Sequence, residues 1–400
     1  MKSLRVFLTL ISFSWTGLIV AQEADEKKVM DIYGFIMMDA GYNFNQIHPD
    51  WFDVIRTTKL PEFENQYGSD GNFYFSVRQT RLGFKNYFDT PLGELFTQFE
   101  FEMFGTGVDA GQTTIRLRHA YGELGKFGAG QYWSPFMDID VFPNTVEYWG
   151  PPGMAFYRNV QFRYMPIKGE DKLTIALERP GGSAESGKYE GRVELDGVVA
   201  RFPIPDISAE YRKAFGFGYL EIAGIIRQME IEDQLPTVNG DISTTVTGWG
   251  LNLSTNIKLG DKTLIRASAL YGTGVANYMN DATVDVAIDG EPGSEEIAGV
   301  PLLGVVGFLE HTWNDKWASA VGYSMIDMDN LSGQNGTSFS KGDYALANLQ
   351  HFPAPNVMMV AEFQYGKREN FDEEYSSSIT KLQFSFKYNF SQSFFKKVTM

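Results

Sequence analysis

The sequence predicts an all-β protein: a transmembrane antiparallel β-barrel of about 16 strands, with one loop folded inward as a constriction. Three observations lead to this fold class. Apolar and polar residues alternate over runs of about 10 residues, and short connections take turns with long ones along the chain. No segment beyond the first residues is apolar for long enough to form a transmembrane helix.

The first residues have the pattern of a secretory signal peptide. Lys2 and Arg5 precede an apolar run, and Ala21 stands where a signal peptidase would cut, so residues 1–21 are predicted to be removed. A membrane anchor fits less well, because the run is short of the ~20 apolar residues that a span needs. Residues 22–30 are then a short periplasmic segment.

The composition excludes several classes of function. A net charge of −16 disfavours a nucleic-acid partner, since such proteins carry basic surfaces. The exported chain has no cysteine for a disulfide scaffold, and its four histidines leave little to bind zinc. Aromatic residues make up 15% of the chain and 41 residues are glycine, which is typical of a β-barrel embedded in membrane lipid. We therefore expect no cofactor.

Three long runs show the alternation that predicts the strands. In residues 94–105 the two sides comprise Leu95, Phe99, Phe101 and Met103 against Gln98, Glu100 and Glu102. In residues 113–124 they comprise Ile115, Leu117, His119 and Tyr121 against Arg116 and Arg118. In residues 381–390 they comprise Leu382, Phe384, Phe386, Tyr388 and Phe390 against Lys381, Gln383, Ser385, Lys387 and Asn389. Because lipid offers no hydrogen bonds, the polar sides must face the lumen or a subunit interface.

The connections between these runs alternate in length. Links as short as the one at Lys126 separate long polar segments such as residues 46–72 and 276–300. Short periplasmic turns and long outer loops are the asymmetry of outer-membrane barrels. We expect one barrel domain over residues 31–390, followed by a tail over residues 391–400.

The segment between two strands at residues 134–153 is long, proline-rich and aromatic. It carries Tyr148 and Trp149, and a loop with such apolar groups is expected to pack against a wall instead of staying disordered. Its acidic residues, listed here, can form one side of a constriction or simply anchor the loop to wall arginines: Asp138, Asp140 and Glu147.

Inward arginines are the candidate solute guides. Arg116 and Arg118 project to one side of a strand, and the guanidinium fork matches the two oxygens of a carboxylate. The alternative is that these arginines brace the wall by pairing with Glu100 and Glu102. Arg78 and Arg81 are three residues apart, so on a regular strand one of them leaves the lumen unless a bulge re-aims it.

Two further hypotheses have weaker support. An acidic loop offers oxygen ligands for Ca²⁺ without the spacing of an EF-hand, although such a run is more often a solvated surface: Asp281, Asp285, Asp289, Glu291, Glu295 and Glu296. An enzyme needs a nucleophile with its base. The four histidines are scattered and have no nucleophile elbow near them, so we expect no enzyme.

Four stretches together resemble the DcaP-type trimeric outer-membrane porins. They read VRQTRLGF, IRLRHAYGEL, GQYWSPFMDIDVFPNTVEYWGPPG and FYRNVQFRY. The resemblance implies a sixteen-stranded barrel in the outer membrane of a Gram-negative-type bacterium, a homotrimer, and diffusion of small anions such as dicarboxylates. It also implies an eyelet between loop 134–153 and wall arginines, for which the candidates are Arg78, Arg81, Arg116, Arg118, Arg158 and Arg163. Family members often carry a coiled coil before the barrel. Residues 22–30 contain no heptads, so a trimer would rest on barrel-wall contacts.

The sequence thus predicts a porin for small hydrophilic, anionic solutes. The alternative of another class is a structural or adhesive barrel with a plugged lumen, whose outer loops carry the function. A closed soluble barrel is a third possibility, and it would extract into buffer without detergent.

Overall fold

A computed structural model describes residues 28–192, 195, 197–234, 243–290, 296–372 and 374–396. The predicted signal peptide and residues 22–27 lie outside this part of the chain. Within it, the regular elements are β-strands and short 3-10 turns. No helix of the described residues is long and apolar enough to cross a membrane.

The strands are, in chain order, β1 Lys28–Asn43, β2 Asn72–Ser76, β3 Arg81–Thr90, β4 Gly93–Phe104, β5 Thr113–Leu124, β6 Phe127–Trp133, β7 Arg158–Ile167, β8 Lys172–Glu178, β9 Ala184–Glu185, β10 Val198–Arg201, β11 Asp206–Phe215, β12 Gly218–Asp233, β13 Thr244–Leu259, β14 Thr263–Thr273, β15 Val286–Asp289, β16 Glu296–Gly299, β17 Pro301–Asn314, β18 Trp317–Met328, β19 Phe339–Ala354, β20 Val357–Asn370 and β21 Ser376–Lys396.

The strands form a closed antiparallel barrel. Eighteen of them share one sheet, in which β1 pairs with β21 on one side and with β2 and β3 on the other. Since β2 and β3 lie end to end along β1, and β10 lies beside β12 beyond the end of β11, the wall has sixteen strands. This confirms the predicted fold class. Strands β9, β15 and β16 form a small separate sheet.

The alternation of the sequence places apolar side chains outside and polar ones inside. On β4, Phe99 is exposed on the outer surface while its neighbours Glu100 and Gln98 are buried. On β21, Phe384 is exposed and Gln383 is buried. The outer surface thus suits lipid, and the polar side chains face the lumen.

The predicted alternation of β5 is wrong beyond Arg118. A register shift pairs Phe101 with Leu117 and Glu100 with His119, which leaves Arg118 as an extra residue on β5. Because of this β-bulge, Arg118 and His119 are both buried inside the barrel, and Tyr121 follows them inward instead of sharing a face with the outer apolar residues. The bulge therefore places the rings of His119 and Tyr121 in the lumen.

A different irregularity resolves the placement of Arg78 and Arg81. The chain between β2 and β3 makes a hydrogen-bonded turn, in which the Thr80 N–H donates to the carbonyl of Val77 at 3.0 Å. Strict alternation is lost there, so both arginines point inward.

The last strand is longer than the sequence boundary suggested. It continues past Phe390 to Lys396, because its final residues pair with the first residues of β1, Phe394 with Met30 and Ser393 with Asp31. Most of the predicted tail is therefore part of the barrel seam, and residues 397–400 lie outside the described chain.

Two ends of the barrel can be distinguished. At one, which we call the turn end, strands are joined by short turns such as the one between Thr90 and Gly93. At the other, the loop end, long segments leave the wall. Residues 44–71, 134–157 and 274–285 fold back inside, and the largest apolar clusters lie between these segments and the wall.

Candidate functional site

The predicted constriction loop, residues 134–153, lies within the barrel, and the inward segment between β6 and β7 continues to residue 157. Ser134 begins it and donates from Oγ to the Glu178 carboxylate at 2.6 Å. Phe136 is fully buried beside Ile225 and Gly250 on the wall. A Cβ at position 250 would lie 2.6 Å from the Phe136 ring, so the glycine provides the space that the ring occupies. The first turn of the loop is therefore held by packing and by a charged hydrogen bond.

Two of the acidic candidates attach the loop to the wall. The Asp138 carboxylate accepts from Arg212 Nη2 at 2.7 Å, from Tyr219 Oη at 2.6 Å and from Ser254 Oγ at 2.7 Å. Asp140 accepts from Nη1 of the same arginine at 2.6 Å. The Asp138 side chain is buried and Asp140 is half-exposed. This geometry favours the anchoring alternative for both residues.

The middle of the loop reaches the opposite wall. Asn144 donates to both oxygens of Glu310 on β17, from its backbone at 2.7 Å and from Nδ2 at 2.9 Å. Thr145 Oγ1 donates to Glu362 on β20 at 2.6 Å. The loop therefore follows the inner circumference of the barrel and donates hydrogen bonds to a carboxylate on each of these two strands.

Glu147, the third acidic candidate, is buried at the end of this path. Its carboxylate accepts from Lys381 Nζ on β21 at 2.6 Å and from the Ile55 N–H at 3.1 Å. Burial raises the pKa of Glu147 to about 7, against the opposing effect of the Lys381 charge. Glu147 thus joins three parts of the molecule: the constriction loop, the seam strand and the folded-in segment 44–71.

The aromatic candidates of the loop, Tyr148 and Trp149, lie near the wall that carries the candidate arginines. Tyr148 stacks on Phe104 with ring centroids 3.7 Å apart and donates its hydroxyl proton to Glu102. Trp149 lies against the guanidinium of Arg56, with the carbon 4.2 Å from the ring centroid. These contacts fix one side of the remaining opening.

Four of the six candidate arginines gather around one carboxylate. Glu102 on β4 is 0% exposed. Its oxygens lie 2.7 Å from Arg118 Nη1, 3.2 Å from Arg81 Nη2, and 3.9 Å from both Arg116 Nη1 and Arg158 Nη2. The structure therefore brings together Arg81, Arg116, Arg118 and Arg158, which come from three different strands.

The arginine cluster keeps an excess of positive charge. Its other acid is Glu100, which accepts from Arg118 Nε at 2.6 Å and lies 3.9 Å from Arg81 Nε. Four guanidinium groups thus share two carboxylates, which leaves a formal charge of +2. Arg116 is the most accessible member, with 32% of its side chain exposed, and Nη1 of Arg158 is buried without a hydrogen-bond partner.

The other two candidate arginines have structural partners. Arg78 donates from Nε to Asp53 at 2.9 Å and is almost fully buried. Arg163 donates from Nε to Gln161 at 3.0 Å and also contacts the carbonyl of Trp133. Neither belongs to the cluster around Glu102.

Two cavities lie on either side of the constriction. The outer cavity, about 430 Å³, faces the loop end and is lined by residues that include Arg116, Arg158, Trp149, Tyr157, Asn277 and Asn280. The inner cavity, about 270 Å³, faces the turn end and is lined by residues that include Phe35, Gln79, Arg81, Arg118, Met358 and Lys387. Both are lined by Tyr148 and Phe156, so these two rings form the partition between them.

Sequence reasoning missed Phe156 and Lys387. Phe156 falls three residues beyond the predicted constriction loop. Lys387 lies on the polar side of the alternating run of β21, so its inward position was predicted, but nothing local indicated that it would face a cavity.

The acidic loop considered for calcium does not gather into a cluster. Its members take separate partners: Asp281 pairs with Arg56 at 3.0 Å, Asp285 with Arg227 at 2.9 Å, and Asp289 accepts from Ser332 at 2.7 Å. Glu291 and Glu295 lie outside the described residues. In the described part of the chain, no three acidic or histidine side chains are grouped as metal ligands.

Comparison with known proteins supplies a family and a fold. A family model described as DcaP outer membrane protein matches residues 17–390. No curated protein sequence matches the chain significantly. Among solved structures, the outer membrane channel DcaP of Acinetobacter baumannii has 21% identity and a TM-score of 0.77, with 91% of this chain and 97% of that chain covered.

Two more distant structures share the fold. The trimer form of OmpT of Vibrio cholerae has 11% identity and a TM-score of 0.55, covering 91% of this chain and 99% of that chain. An anion-selective porin from Comamonas acidovorans has 10% identity and a TM-score of 0.57, covering 91% of this chain and 100% of that chain.

Proposed function

Since the chain belongs to the DcaP outer membrane protein family, we propose that it is a passive outer-membrane channel selective for small hydrophilic anions. The family and the fold make it an outer-membrane protein related to channels and porins. The turn end is then periplasmic and the loop end extracellular. We propose selectivity for anions, with dicarboxylates as the solutes, on the basis of the site described above.

The observation that carries the proposal is the charge imbalance around Glu102. Arg81, Arg116, Arg118 and Arg158 outnumber their two carboxylates, and members of this cluster line both cavities. In a narrow pore with walls of low dielectric constant, a local excess of this kind attracts anions even when the whole protein is negative. The chain's net charge of −16 is therefore compatible with an anion path.

The chemistry of the cluster favours carboxylates. Arg116 makes only a 3.9 Å contact with Glu102 and a 3.4 Å hydrogen bond to the Tyr148 hydroxyl, so most of its donors remain available. A guanidinium binds the two oxygens of a carboxylate in a fork geometry. A solute with two carboxylates is attracted more strongly than a monoanion by the +2 cluster.

We propose a homotrimer assembled through the outer surfaces of the barrels. Support comes from the sequence resemblance to trimeric porins and from the trimeric form of the OmpT fold relative. Crosslinking in detergent tests it: a ladder ending at three subunits is expected, and a single band contradicts the trimer without affecting the channel proposal.

The second candidate is a plugged structural barrel. It is favoured by the apolar clusters that fill the lumen on the side away from the arginines. A plugged barrel does not conduct, so ion current separates the two candidates.

Planar-bilayer recording tests the proposed function. We expect stepwise openings in threes and a reversal potential in a KCl gradient that reports anion preference. Arg116→Gln should reduce that preference. Lys213→Gln, which removes the same charge from the outer surface of β11, should leave it unchanged. Absence of current would overturn the channel, and cation preference would overturn the anion path.

A further inference from the structure

Lys387 is a cation on the periplasmic side of the constriction, and it does not belong to the arginine cluster around Glu102. It lies on β21 opposite Met37 of β1, and its Nζ is 4.1 Å from the centroid of the Phe35 ring. It lines the inner cavity. Within the described part of the chain it takes part in no ion pair with a carboxylate.

The acid Asp39, which also lies in this region, takes its hydrogen bonds from neutral side chains. Asp39 accepts from Ser385 Oγ at 2.6 Å, from Gln383 Nε2 at 3.2 Å and from Gln79 Nε2 at 2.9 Å. Glu147, which also lines the cavity, is paired with Lys381 on its far side. Neither carboxylate forms an ion pair with Lys387, and the charge of Asp39 offsets that of Lys387 only through space.

Arg81 lies close to Lys387. Its guanidinium carbon is 5.2 Å from the centroid of the same Phe35 ring, so the two cationic groups are no more than about 9 Å apart. Nε of Arg81 is buried without a hydrogen-bond partner and lies 3.9 Å from Glu100. Glu100 is shared with Arg118, and Glu102 is shared with three other arginines. Two like charges at this distance repel each other, and an anion bound near both of them offsets that repulsion.

Two other donors on the cavity wall already have acceptors. Gln79 Nε2 donates to Asp39 and to the Val146 carbonyl at 2.8 Å, and Thr145 Oγ1 donates to Glu362. An incoming oxyanion therefore meets the ammonium group of Lys387, which has no carboxylate partner in the described part of the chain, and the guanidinium group of Arg81, whose buried Nε has no hydrogen-bond partner. The apolar lining of Phe35, Met37 and Met358 lowers the local dielectric constant and strengthens both attractions.

From these contacts we infer a second anion-binding site, formed by Lys387 and Arg81 in the inner cavity, that holds a single carboxylate or similar oxyanion after it has passed the partition of Tyr148 and Phe156. The site lies in series with the outer one at Arg116 and Arg158. Two sites in a row allow each solute to be attracted strongly and still released, because an ion that enters the first site repels the one in the second. This inference rests on the proposed function.

Charge substitutions at position 387 provide the first test. In purified trimers or monomers in planar bilayers, Lys387→Met should lower the anion-to-cation permeability ratio by about threefold or more, because it removes a unit charge from a weakly screened wall. Lys387→Arg should preserve the ratio. Lys213→Met is the matched control on the outer surface and should behave as the unsubstituted protein.

Thiol labelling provides the second test, and the absence of cysteine makes it clean. In Lys387→Cys, the thiolate attacks a methanethiosulfonate reagent, forms a mixed disulfide and releases methanesulfinate. The anionic sulfonatoethyl reagent, added from the periplasmic side, should react faster than the cationic trimethylammonium reagent because Arg81 still faces the cavity. At Lys213→Cys the two reagents should show no preference for the anionic form.

The outcomes separate the inference from the proposed function. An anion-selective channel that Lys387→Met leaves unchanged, or a cysteine at 387 that neither reagent labels, overturns the second site and leaves the proposed function standing. A channel without anion selectivity overturns the proposed function, whatever the labelling shows. Loss of selectivity in Lys387→Met, retention in Lys387→Arg and faster labelling by the anion together support the second site.

Discussion

The lumen has two unlike halves. In the filled half, loop residues pack against the wall in a buried apolar cluster that includes Phe136, Val275, Leu302, Ile326 and Phe339. In the open half, whose wall includes β1, β3–β7 and β21, the two cavities meet an excess of positive charge. Both halves have the same alternating strand pattern, so the strands alone do not make the difference.

The two halves differ in whether the constriction loop supplies partners for the inward polar groups of the wall. In the filled half, inward polar groups such as Arg212 and Glu310 are matched by loop partners, Asp138 and Asn144. In the open half, the loop offers Tyr148 to Glu102, and the arginines around that carboxylate keep unused donors. The proposed anion selectivity therefore depends on the wall charges that have no partner in the constriction loop.

The largest expected effect comes from removing the central acid of the open half. Glu102→Gln leaves four arginines around a neutral amide, and breaking a buried ion pair in this way costs ~3–5 kcal/mol. The temperature at which the folded band disappears on an SDS gel should fall accordingly. Glu369→Gln, in an exposed pair with Lys367, should cost only ~0–1 kcal/mol. Equal shifts for the two variants would contradict the central role of Glu102.

The filled half is tested by its main anchor. Phe136→Ala removes a fully buried ring and should lower the free energy of unfolding by ~3–5 kcal/mol, mainly because the loop is held less firmly. We expect a larger unit conductance and weaker anion preference, because the loop no longer holds the partition in place. Val108→Ala, at a 98% exposed position, should change neither. An unchanged conductance in Phe136→Ala would mean that the remaining hydrogen bonds hold the loop.

The boundary between the halves should respond to pH through Glu147. Burial raises the pKa of Glu147 in the folded protein to about 7, above the value of 4.5 for a glutamate in water. The folded state therefore binds the proton more tightly than the unfolded state, so stability is full below about pH 4.5 and falls by roughly 1–3 kcal/mol as the pH rises through about 7. Melting temperatures measured across this range should decline, and Glu147→Gln should flatten the decline. A decline of equal slope in the variant would assign it to another group.

The smallest effect is expected at the partition itself. Tyr148→Phe keeps the ring that stacks on Phe104 but loses the hydroxyl that donates to Glu102, at a cost of ~1 kcal/mol. Anion preference should persist, since no charge changes. Reversal potentials in a KCl gradient measure it, and a loss of preference would show that the hydroxyl, and not the arginine excess, sets the selectivity.

Much of the fold follows from local pattern. The period-2 alternation in residues 94–105 and 381–390 predicted which side chains face lipid, and the aromatic content of residues 134–153 predicted a loop packed inside. The bulge at Arg118 was beyond such reasoning, because an extra residue on one strand shows only against the register of its partner β4. The same holds for the turn between β2 and β3.

The site was predictable only in part. The sequence named the arginines, yet it could not divide Arg81, Arg116, Arg118 and Arg158 from Arg78 and Arg163, since the division depends on partners such as Asp53 and Gln161. It also left open whether Asp138 and Glu147 face the pore or anchor the loop. No feature of the sequence distinguished Lys387 from the other polar residues of its strand.

By itself, then, the sequence determined the class of fold, the inward loop and the stock of inward charges, because strand alternation acts between residues two apart in the chain. Only the tertiary structure decided which charges meet. The contacts that neutralise Asp138 and Glu147, and those that leave Arg116 and Lys387 without full neutralisation, join residues far apart in sequence. Electrostatic interactions depend on distance in space, and closure of the barrel sets that distance.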